Sequence, residues 1–131
     1  MRLLFALAPL ALVAACATTG PAVDGITPAG VDETVEMTAA LRFAPTAVTI
    51  NSGETVEFSN ISTFTHTVST VADSVIEQQA VKLPAGAAAF DSGPIAPGAT
   101  FTHTFTTPGT YQYFCQPHVG QGMIGTIIVN P

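Results

Sequence analysis

The chain has 131 residues, which is enough for one domain and too few for two of ordinary size. Only 9% of the residues are charged, and three basic side chains stand against nine acidic ones, for a formal net charge of −6. So few cations cannot form a basic patch, which excludes a nucleic-acid-binding protein, and the acidic balance favours partners with basic docking faces.

The N-terminal residues have the layout of a secretory signal peptide. Arg2 is followed by an apolar run over residues 3–13, which is too short to span a bilayer comfortably, and then by small residues. The run ends in VAAC, which resembles a bacterial lipobox, whose cysteine becomes the lipid-modified first residue. We predict a signal peptide over residues 1–15 and lipid attachment at Cys16; the alternative is an ordinary signal peptide cleaved nearby.

Export sets the expectations for location and for the two cysteines. Two cysteines in an exported protein normally form a disulfide. If Cys16 carries lipid, Cys115 has no partner, and a bound metal would both protect its thiol and give it a use. We expect a protein of the periplasmic face that meets the membrane only through its lipid anchor. Because Ala17 follows the cysteine, we expect the outer membrane; a soluble periplasmic protein is the alternative.

The segment after the cysteine, ATTGPAVDGITPAGV, is small and polar, with interspersed Pro and Gly. This composition predicts a flexible tether over residues 16–32. The folded domain is then expected over residues 33–131.

Short runs rich in Val, Ile, Thr and Phe then alternate with turn signals, which predicts strands. In TVEFSN, Val56 and Phe58 share one face while the polar residues share the other, as in a half-buried strand. The predicted strands cover residues 34–40, 47–51, 55–60, 66–71, 100–106, 109–115 and 125–129. Seven such strands in about a hundred residues indicate an all-β fold, a β-sandwich.

One segment departs from this strand pattern. Residues 74–83, SVIEQQAVKL, predict a short helix, because Val75, Ile76, Ala80 and Leu83 fall roughly on one side. The residues that follow, up to Phe90, are rich in Ala, Gly and Pro and predict a loop.

A cluster of potential metal ligands lies in YQYFCQPHVGQGMIGTIIV, residues 111–129. Cys115 offers a soft thiolate, His118 an imidazole and Met123 a weak thioether. Two imidazoles, one thiolate and a long axial thioether form the blue-copper arrangement, so the loop lacks one imidazole. His66 is the better candidate for it, because this residue begins a predicted strand, where side chains can converge on a site.

The other histidine, His103, lies in the middle of the predicted strand FTHTF, where alternation places it on one face with Phe101 and Phe105. A histidine in that position is more often structural than a ligand. We therefore expect it to lie outside the metal site.

With these positions in view, the sequence resembles the plastocyanin group of cupredoxins, small blue-copper electron carriers. The resemblance covers about residues 33–130. It is carried in the first half by LRFAPTAVTINSGETVEFSNISTFTHTV and in the second by FDSGPIAPGATFTHTFTTPGTYQYFCQPHVGQGMIGTIIVN. The resemblance implies a cupredoxin-like Greek-key sandwich of seven to eight strands, with copper near one end.

The resemblance also implies the roles of the candidate ligands. His66, Cys115 and His118 would be the equatorial ligands and Met123 the axial ligand of one copper ion per chain. The protein would then be a monomeric electron-transfer protein of the cell envelope, not an enzyme, that cycles between Cu(II) and Cu(I). Its partners would be redox proteins, such as cytochromes, that dock near His118.

Positions around this docking region match as well, and the implied patch comprises Leu41, Phe64, Pro117 and Gly120. Two departures stand out. Thr67 replaces the Asn that commonly ties the two ligand loops together. Phe114 replaces the Tyr near a remote acidic docking site in plant plastocyanin, and the acidic runs of that site are missing.

Two other functional classes are alternatives. A periplasmic copper carrier or storage protein usually exposes several Met or Cys ligands, whereas Met37 is the only such residue outside the loop in the predicted domain. A copper enzyme needs a second metal site with its own histidines. Only His103 remains for that, so a shared trimeric site is the one conceivable form.

Overall fold

A computed structural model describes residues 29–131 of the chain. The predicted signal peptide, the predicted lipid-attachment residue Cys16 and residues 16–28 of the predicted tether lie outside the described residues. Within residues 29–131, no helix has the length and apolar character needed to cross a membrane.

Seven strands form two sheets. One sheet has the order β2-β1-β4-β5 and the other the order β3-β7-β6, with parallel pairing between β1 and β4 and between β3 and β7. The strands are β1 (Glu33–Met37), β2 (Phe43–Ala44), β3 (Ala47–Asn51), β4 (Thr55–Asn60), β5 (Thr100–Thr104), β6 (Gly109–Phe114) and β7 (Ile124–Asn130). A short helix α1 (Val75–Ala80) and a 3-10 helix (Gln116–Gln121) complete the fold. The predicted all-β sandwich with one short helix is confirmed.

Alternation along the strands determines the core. Inward-facing positions such as Val35 and Met37 of β1 or Val56 and Phe58 of β4 are fully buried, while their strand neighbours are partly or fully exposed. The two inner faces interlock around Tyr113, whose ring packs edge-on against Phe43 at 4.7 Å and Phe58 at 5.2 Å between centroids. This packing fixes the end of β6, from which the residues at 115–123 continue.

The predicted strand over residues 66–71 does not form. His66 and Ser69 make only isolated bridges, with Ile95, Asp91 and Phe114. Side-chain hydroxyls replace part of a regular ladder here: Ser92 Oγ accepts from the N–H of Val68 at 2.8 Å. Thr70 Oγ1 likewise accepts from the N–H of Phe90 at 2.8 Å. Sequence periodicity predicts an extended backbone correctly, but it cannot tell whether the partners of that backbone are carbonyls or hydroxyls.

The helix prediction is confirmed in position but not in its buried face. Val75 and Ile76 are exposed, and the buried residues are Ala80 and Glu77. The carboxylate of Glu77 accepts hydrogen bonds from the N–H groups of Asp73 and Ser74, both at 2.9 Å, so it completes a capping box at the start of the helix. These backbone hydrogen bonds lower the pKa of Glu77. In a helix of six residues, capping outweighs the apolar pattern.

His103 lies where its alternation predicts. Its ring stacks on Phe90 at 4.0 Å between centroids and packs edge-on against Phe105 at 4.7 Å. Partial burial among these aromatic rings lowers its pKa. The residue is therefore part of an aromatic cluster of the sandwich.

The hydroxyl of Tyr113 provides a test of core packing. It is buried and has no hydrogen-bond partner among the described residues, and burial raises its pKa. Because an unmade buried hydrogen bond costs stability, Tyr113→Phe is expected to raise the free energy of unfolding by about 1 kcal/mol. Urea unfolding of the metal-free protein measures this change.

The matched control is Tyr111→Phe, which removes a hydroxyl that donates to the carbonyl of Thr107 at 2.8 Å. This variant should lose about 1 kcal/mol. Equal losses of stability in the two variants would contradict the interpretation that the Tyr113 hydroxyl has no hydrogen-bond partner within residues 29–131.

Candidate metal centre

Three of the predicted ligands lie on one closed loop. The last paired residues of β6 and β7 are Phe114 and Ile124, so residues 115–123 form the connection between two antiparallel strands. The N–H of Cys115 donates to the carbonyl of Met123 at 3.0 Å, and the N–H of Met123 donates to the carbonyl of His118 at 3.2 Å. These hydrogen bonds bring the two ends of the loop together with the histidine between them.

His66 reaches the same place from another part of the chain. Its backbone exchanges two hydrogen bonds with Ile95, at 3.1 and 2.7 Å, which fix the segment that follows β4. The imidazole is fully buried. The structure thus brings His66 to the loop, whereas His103 stacks on Phe90 in the aromatic cluster.

The donor atoms of three residues converge. Cys115 Sγ lies 3.3 Å from His118 Nδ1 and 3.6 Å from His66 Nδ1, and the two Nδ1 atoms are 3.2 Å apart. Among the His, Cys, Asp and Glu side chains of residues 29–131, these three form the one group whose ligand atoms all lie within 4.8 Å of one another. Two imidazole nitrogens and one sulfur are a donor set suited to copper.

Burial makes this arrangement unfavourable for the charged forms of its own groups. It raises the pKa of the Cys115 thiol and, together with the neighbouring His118, lowers the pKa of His66. At neutral pH the thiol and the His66 imidazole are therefore held in their uncharged forms. A metal cation reverses this preference for the thiol, because it stabilises the thiolate directly. The donors present thus fit a bound copper ion.

Met123 is also fully buried and belongs to the same core cluster as Cys115. Its backbone contacts with both Cys115 and His118 keep it at the end of the loop. Its role as a weak axial ligand stays a prediction.

Thr67, which replaces the common Asn, makes hydrogen bonds to the segment that carries Cys115. Its hydroxyl accepts a hydrogen bond from the N–H of Gln116 at 2.7 Å, and its own N–H points at Cys115 Sγ at 3.4 Å. One residue therefore connects both ligand-bearing segments. A hydrogen bond to a ligating sulfur is a known means of tuning a metal site.

Sequence reasoning missed two supporting residues. Ser62 Oγ lies 2.9 Å from Nε2 of His66, on the side of the ring away from the cluster. Arg42 Nη1 donates to the carbonyl of Gln121 at 3.1 Å. This hydrogen bond joins the ligand loop, defined as residues 115–123, to the connection between β1 and β2. The only signal for Ser62 was a small polar residue four positions before the histidine, and the contact of Arg42 spans 79 positions with no local signal.

The surface beside His118 is partly apolar. The ring of Phe64, 47% exposed, lies 6.3 Å from the partly buried ring of His118. Pro117 and Gly120 are exposed on the 3-10 helix, and Leu41 is partly buried with a positive φ of 56°. The four residues predicted for the docking patch thus lie on segments that meet or adjoin the ligand loop.

Comparisons with known proteins agree with this geometry. A family model described as copper binding proteins of the plastocyanin/azurin family matches residues 29–130. Chloroplastic plastocyanin of Chlamydomonas reinhardtii is 36% identical over 138 residues, which cover 95% of this chain and 91% of that protein. Plastocyanin of Scenedesmus fuscus is 42% identical over 104 residues, which cover 76% of this chain and all (100%) of that one. Chloroplastic plastocyanin of Oryza sativa subsp. indica is 41% identical over 97 residues, which cover 69% of this chain but only 56% of that protein.

Solved structures show the same likeness. A reduced mutant of amicyanin is 26% identical with a TM-score of 0.61, and the match covers 79% of this chain and 86% of that one. A purple cupredoxin from Nitrosopumilus maritimus has a TM-score of 0.60, with 76% of this chain and 100% of that one covered. At 21% identity, the latter shows a shared fold only.

Proposed function

Because the chain belongs to the plastocyanin/azurin family of copper-binding proteins, we propose that it is a type 1 copper electron carrier with His66, Cys115, His118 and Met123 as its ligands. The observation that carries this proposal is the convergence of two Nδ1 atoms and one Sγ within 4.8 Å. Copper held there would supply a one-electron couple between Cu(II) and Cu(I). The residues around the ion would position its donor atoms and limit solvent access.

Those residues keep the donors in place and dry. The loop ends are joined through Cys115 and Met123, and His66 is held by two backbone hydrogen bonds to Ile95. Such rigidity limits rearrangement between oxidation states, which favours fast electron transfer. Cys115 and His66 are fully buried, so solvent has little access to their donor atoms.

The partly buried His118 is the one of the three converging residues that reaches the surface. It therefore offers the shortest covalent path from the cluster to a partner, and we propose that redox proteins dock over it. The exposed Phe64 would contribute apolar contact to this interface. Weak interfaces of this kind are small and allow rapid turnover.

The test is the visible and EPR spectrum of the copper-loaded protein. We expect one copper per chain and an intense blue absorption, because one thiolate and two imidazoles are the donors of blue-copper sites. A colourless Cu(II)-loaded protein would refute the proposal. More than one tightly bound copper per chain would instead support a copper enzyme with a further site.

Met123→Leu tests the axial position. The substitution conserves side-chain volume, so the fold should persist. We expect the variant to keep copper but to have a higher reduction potential, on the order of tens of millivolts, because loss of a donor destabilises the more highly charged ion. Protein-film voltammetry measures the potential.

Met37→Leu is the matched control, since Met37 is equally buried but lies in β1. Its potential should match that of the wild type. An unchanged potential in the Met123 variant would show that this residue is not an axial ligand.

A copper carrier or storage protein is the second candidate. Two of the three converging donor residues are fully buried, which disfavours the rapid ligand exchange that metal delivery requires. Stopped-flow comparison separates the functions. An electron carrier should reduce or oxidise a soluble cytochrome much faster than it loses Cu(I) to a chelator.

We also propose that the domain is tethered to a membrane through Cys16 and residues 16–32. The parallel register of β1 with β4 places Glu33 opposite Val56 and Met37 opposite Asn60, so the chain enters the domain at the end away from the ligands. A tether of this length reaches roughly 55 Å when fully extended. The tether would then join the domain at the end away from the predicted ligands and leave the surface around His118 free for partners.

Mass spectrometry of the mature N-terminus and membrane fractionation test this anchoring. A diacylglyceryl group on Cys16 is expected, and Cys16→Ser should release the protein from the membrane fraction. A soluble wild-type protein without lipid would support the ordinary signal peptide instead.

A further inference from the structure

A buried serine contacts the ring of His66 on the side opposite the metal centre. Ser62 is 6% exposed and lies in the turn after β4. Its Oγ is 2.9 Å from His66 Nε2, while His66 Nδ1 lies 3.6 Å from Cys115 Sγ and faces the donor cluster. The imidazole thus spans a hydroxyl and the cluster, with one nitrogen turned to each.

The direction of the hydrogen bond between them follows from the neighbouring groups. The side-chain amide of Asn60 donates to the carbonyls of Phe64, at 2.8 Å, and Ile95, at 2.9 Å. Its Oδ1 is therefore free to accept, and it lies 2.8 Å from Ser62 Oγ and 3.0 Å from the N–H of Ser62.

The hydroxyl of Ser62 carries a single proton. Apart from the ring, two acceptors lie within reach of this proton. They are Asn60 Oδ1, at 2.8 Å from Oγ, and the carbonyl of Phe64, at 3.2 Å. Ser62 Oγ also accepts a hydrogen bond from the N–H of Phe64 at 3.1 Å. Its remaining lone pair can then accept a hydrogen bond from the ring of His66. With the hydroxyl proton directed to Asn60 Oδ1, His66 Nε2 is the donor to Ser62 Oγ and Nδ1 presents its lone pair to the cluster.

We propose that Ser62 is a positioning residue for copper binding: held by Asn60, it accepts the Nε2–H of His66 and so fixes both the tautomer and the orientation of that ligand. This inference rests on the proposed copper site. Metal-bound histidines commonly donate their second N–H to a carboxylate, a backbone carbonyl or water. In this chain a side-chain hydroxyl fills that role, and a second side chain orients the hydroxyl.

The consequence is measurable in metal affinity. Removal of such a supporting partner typically weakens metal binding about 10–100-fold. Ser62→Ala should therefore lower the affinity for Cu(I) about 10–100-fold in a competition titration with a chelator. Thr63→Ala is the matched control, because it removes an exposed hydroxyl from the adjacent position and should leave the affinity within twofold of the wild type.

A second measurement does not depend on any variant. In the diamagnetic Cu(I)-loaded wild type, long-range proton–nitrogen NMR should detect an Nε2–H proton on His66 that exchanges slowly with solvent, since it is buried and hydrogen-bonded. The same proton should exchange rapidly in Ser62→Ala. Circular dichroism and thermal unfolding of both variants establish that each is folded.

The outcomes separate this inference from the proposed function. A Ser62→Ala protein with wild-type affinity, or a wild-type protein whose His66 Nε2–H exchanges rapidly, would overturn the role of Ser62 while leaving the blue site intact. A wild type that shows no blue copper spectrum would overturn the proposed function itself. If Ser62→Ala does not fold, the exchange measurement on the wild type decides alone.

Discussion

Replacement of Cys115 by serine is expected to abolish the blue colour of the copper-loaded protein. The substitution is nearly isosteric at a fully buried position, so the loss should reflect chemistry and not unfolding. A serine hydroxyl is hard and stays protonated, whereas the thiolate is the soft ligand that defines the blue-copper arrangement. Copper affinity should also fall, by more than the hundredfold upper end that is typical of supporting residues.

The two histidines outside the loop provide the matched comparison. His66→Gln should lose the blue absorption, because the ring nitrogen that lies 3.6 Å from Cys115 Sγ is removed. His103→Gln should keep the absorption, because its ring is stacked on Phe90 in the aromatic cluster. A blue Cys115→Ser protein, or equal colour loss in both histidine variants, would contradict the ligand assignment.

A methyl group at position 125 is expected to cause the largest loss of stability. Gly125 pairs across strands with Tyr113, and a Cβ on this glycine would overlap the Cζ and Oη atoms of that ring. The ring is fully buried and packs against Phe43 and Phe58, so it cannot move aside. Overpacking of this kind costs about 1–3 kcal/mol or more, and Gly125→Ala should reach the upper part of that range.

Urea unfolding of the metal-free protein measures the change. Gly120→Ala is the control, because nothing lies within 4 Å of a Cβ there and its φ is not in the left-handed region. It should change stability by less than about 0.5 kcal/mol. If the two glycine variants have the same free energy of unfolding, the close packing of Tyr113 over β7 is wrong.

Local sequence was sufficient for most of the strands. Alternation in β4, where Val56 and Phe58 face inward, follows from the pleat of the strand itself and needs no knowledge of the partner strand. It fails over residues 66–71, where the hydroxyls of Thr70 and Ser92 replace part of the ladder. The helical apolar pattern likewise does not predict the buried face of α1, where capping by Glu77 decides which residue is buried.

The candidate site was also largely predictable, because Cys115, His118 and Met123 lie close together in the chain and their chemistry is specific. The choice of His66 over His103 needed more than spacing. It depended on the family resemblance and on the position of His66 at a predicted strand end. The structure places His66 Nδ1 3.6 Å from Cys115 Sγ, and the role of His66 as a ligand stays a prediction.

The sequence by itself determined the sandwich, the donor types and the loop that carries most of them, since side-chain chemistry and strand alternation are local properties. Only the tertiary structure decided how the donors are supported. The contacts of Ser62 with His66 and of Thr67 with Gln116 depend on how each turn folds, and that of Arg42 with Gln121 joins residues 79 positions apart. Hydrogen bonds form between groups that are close in space, and the packing of the whole core, which no short segment records, brings them there.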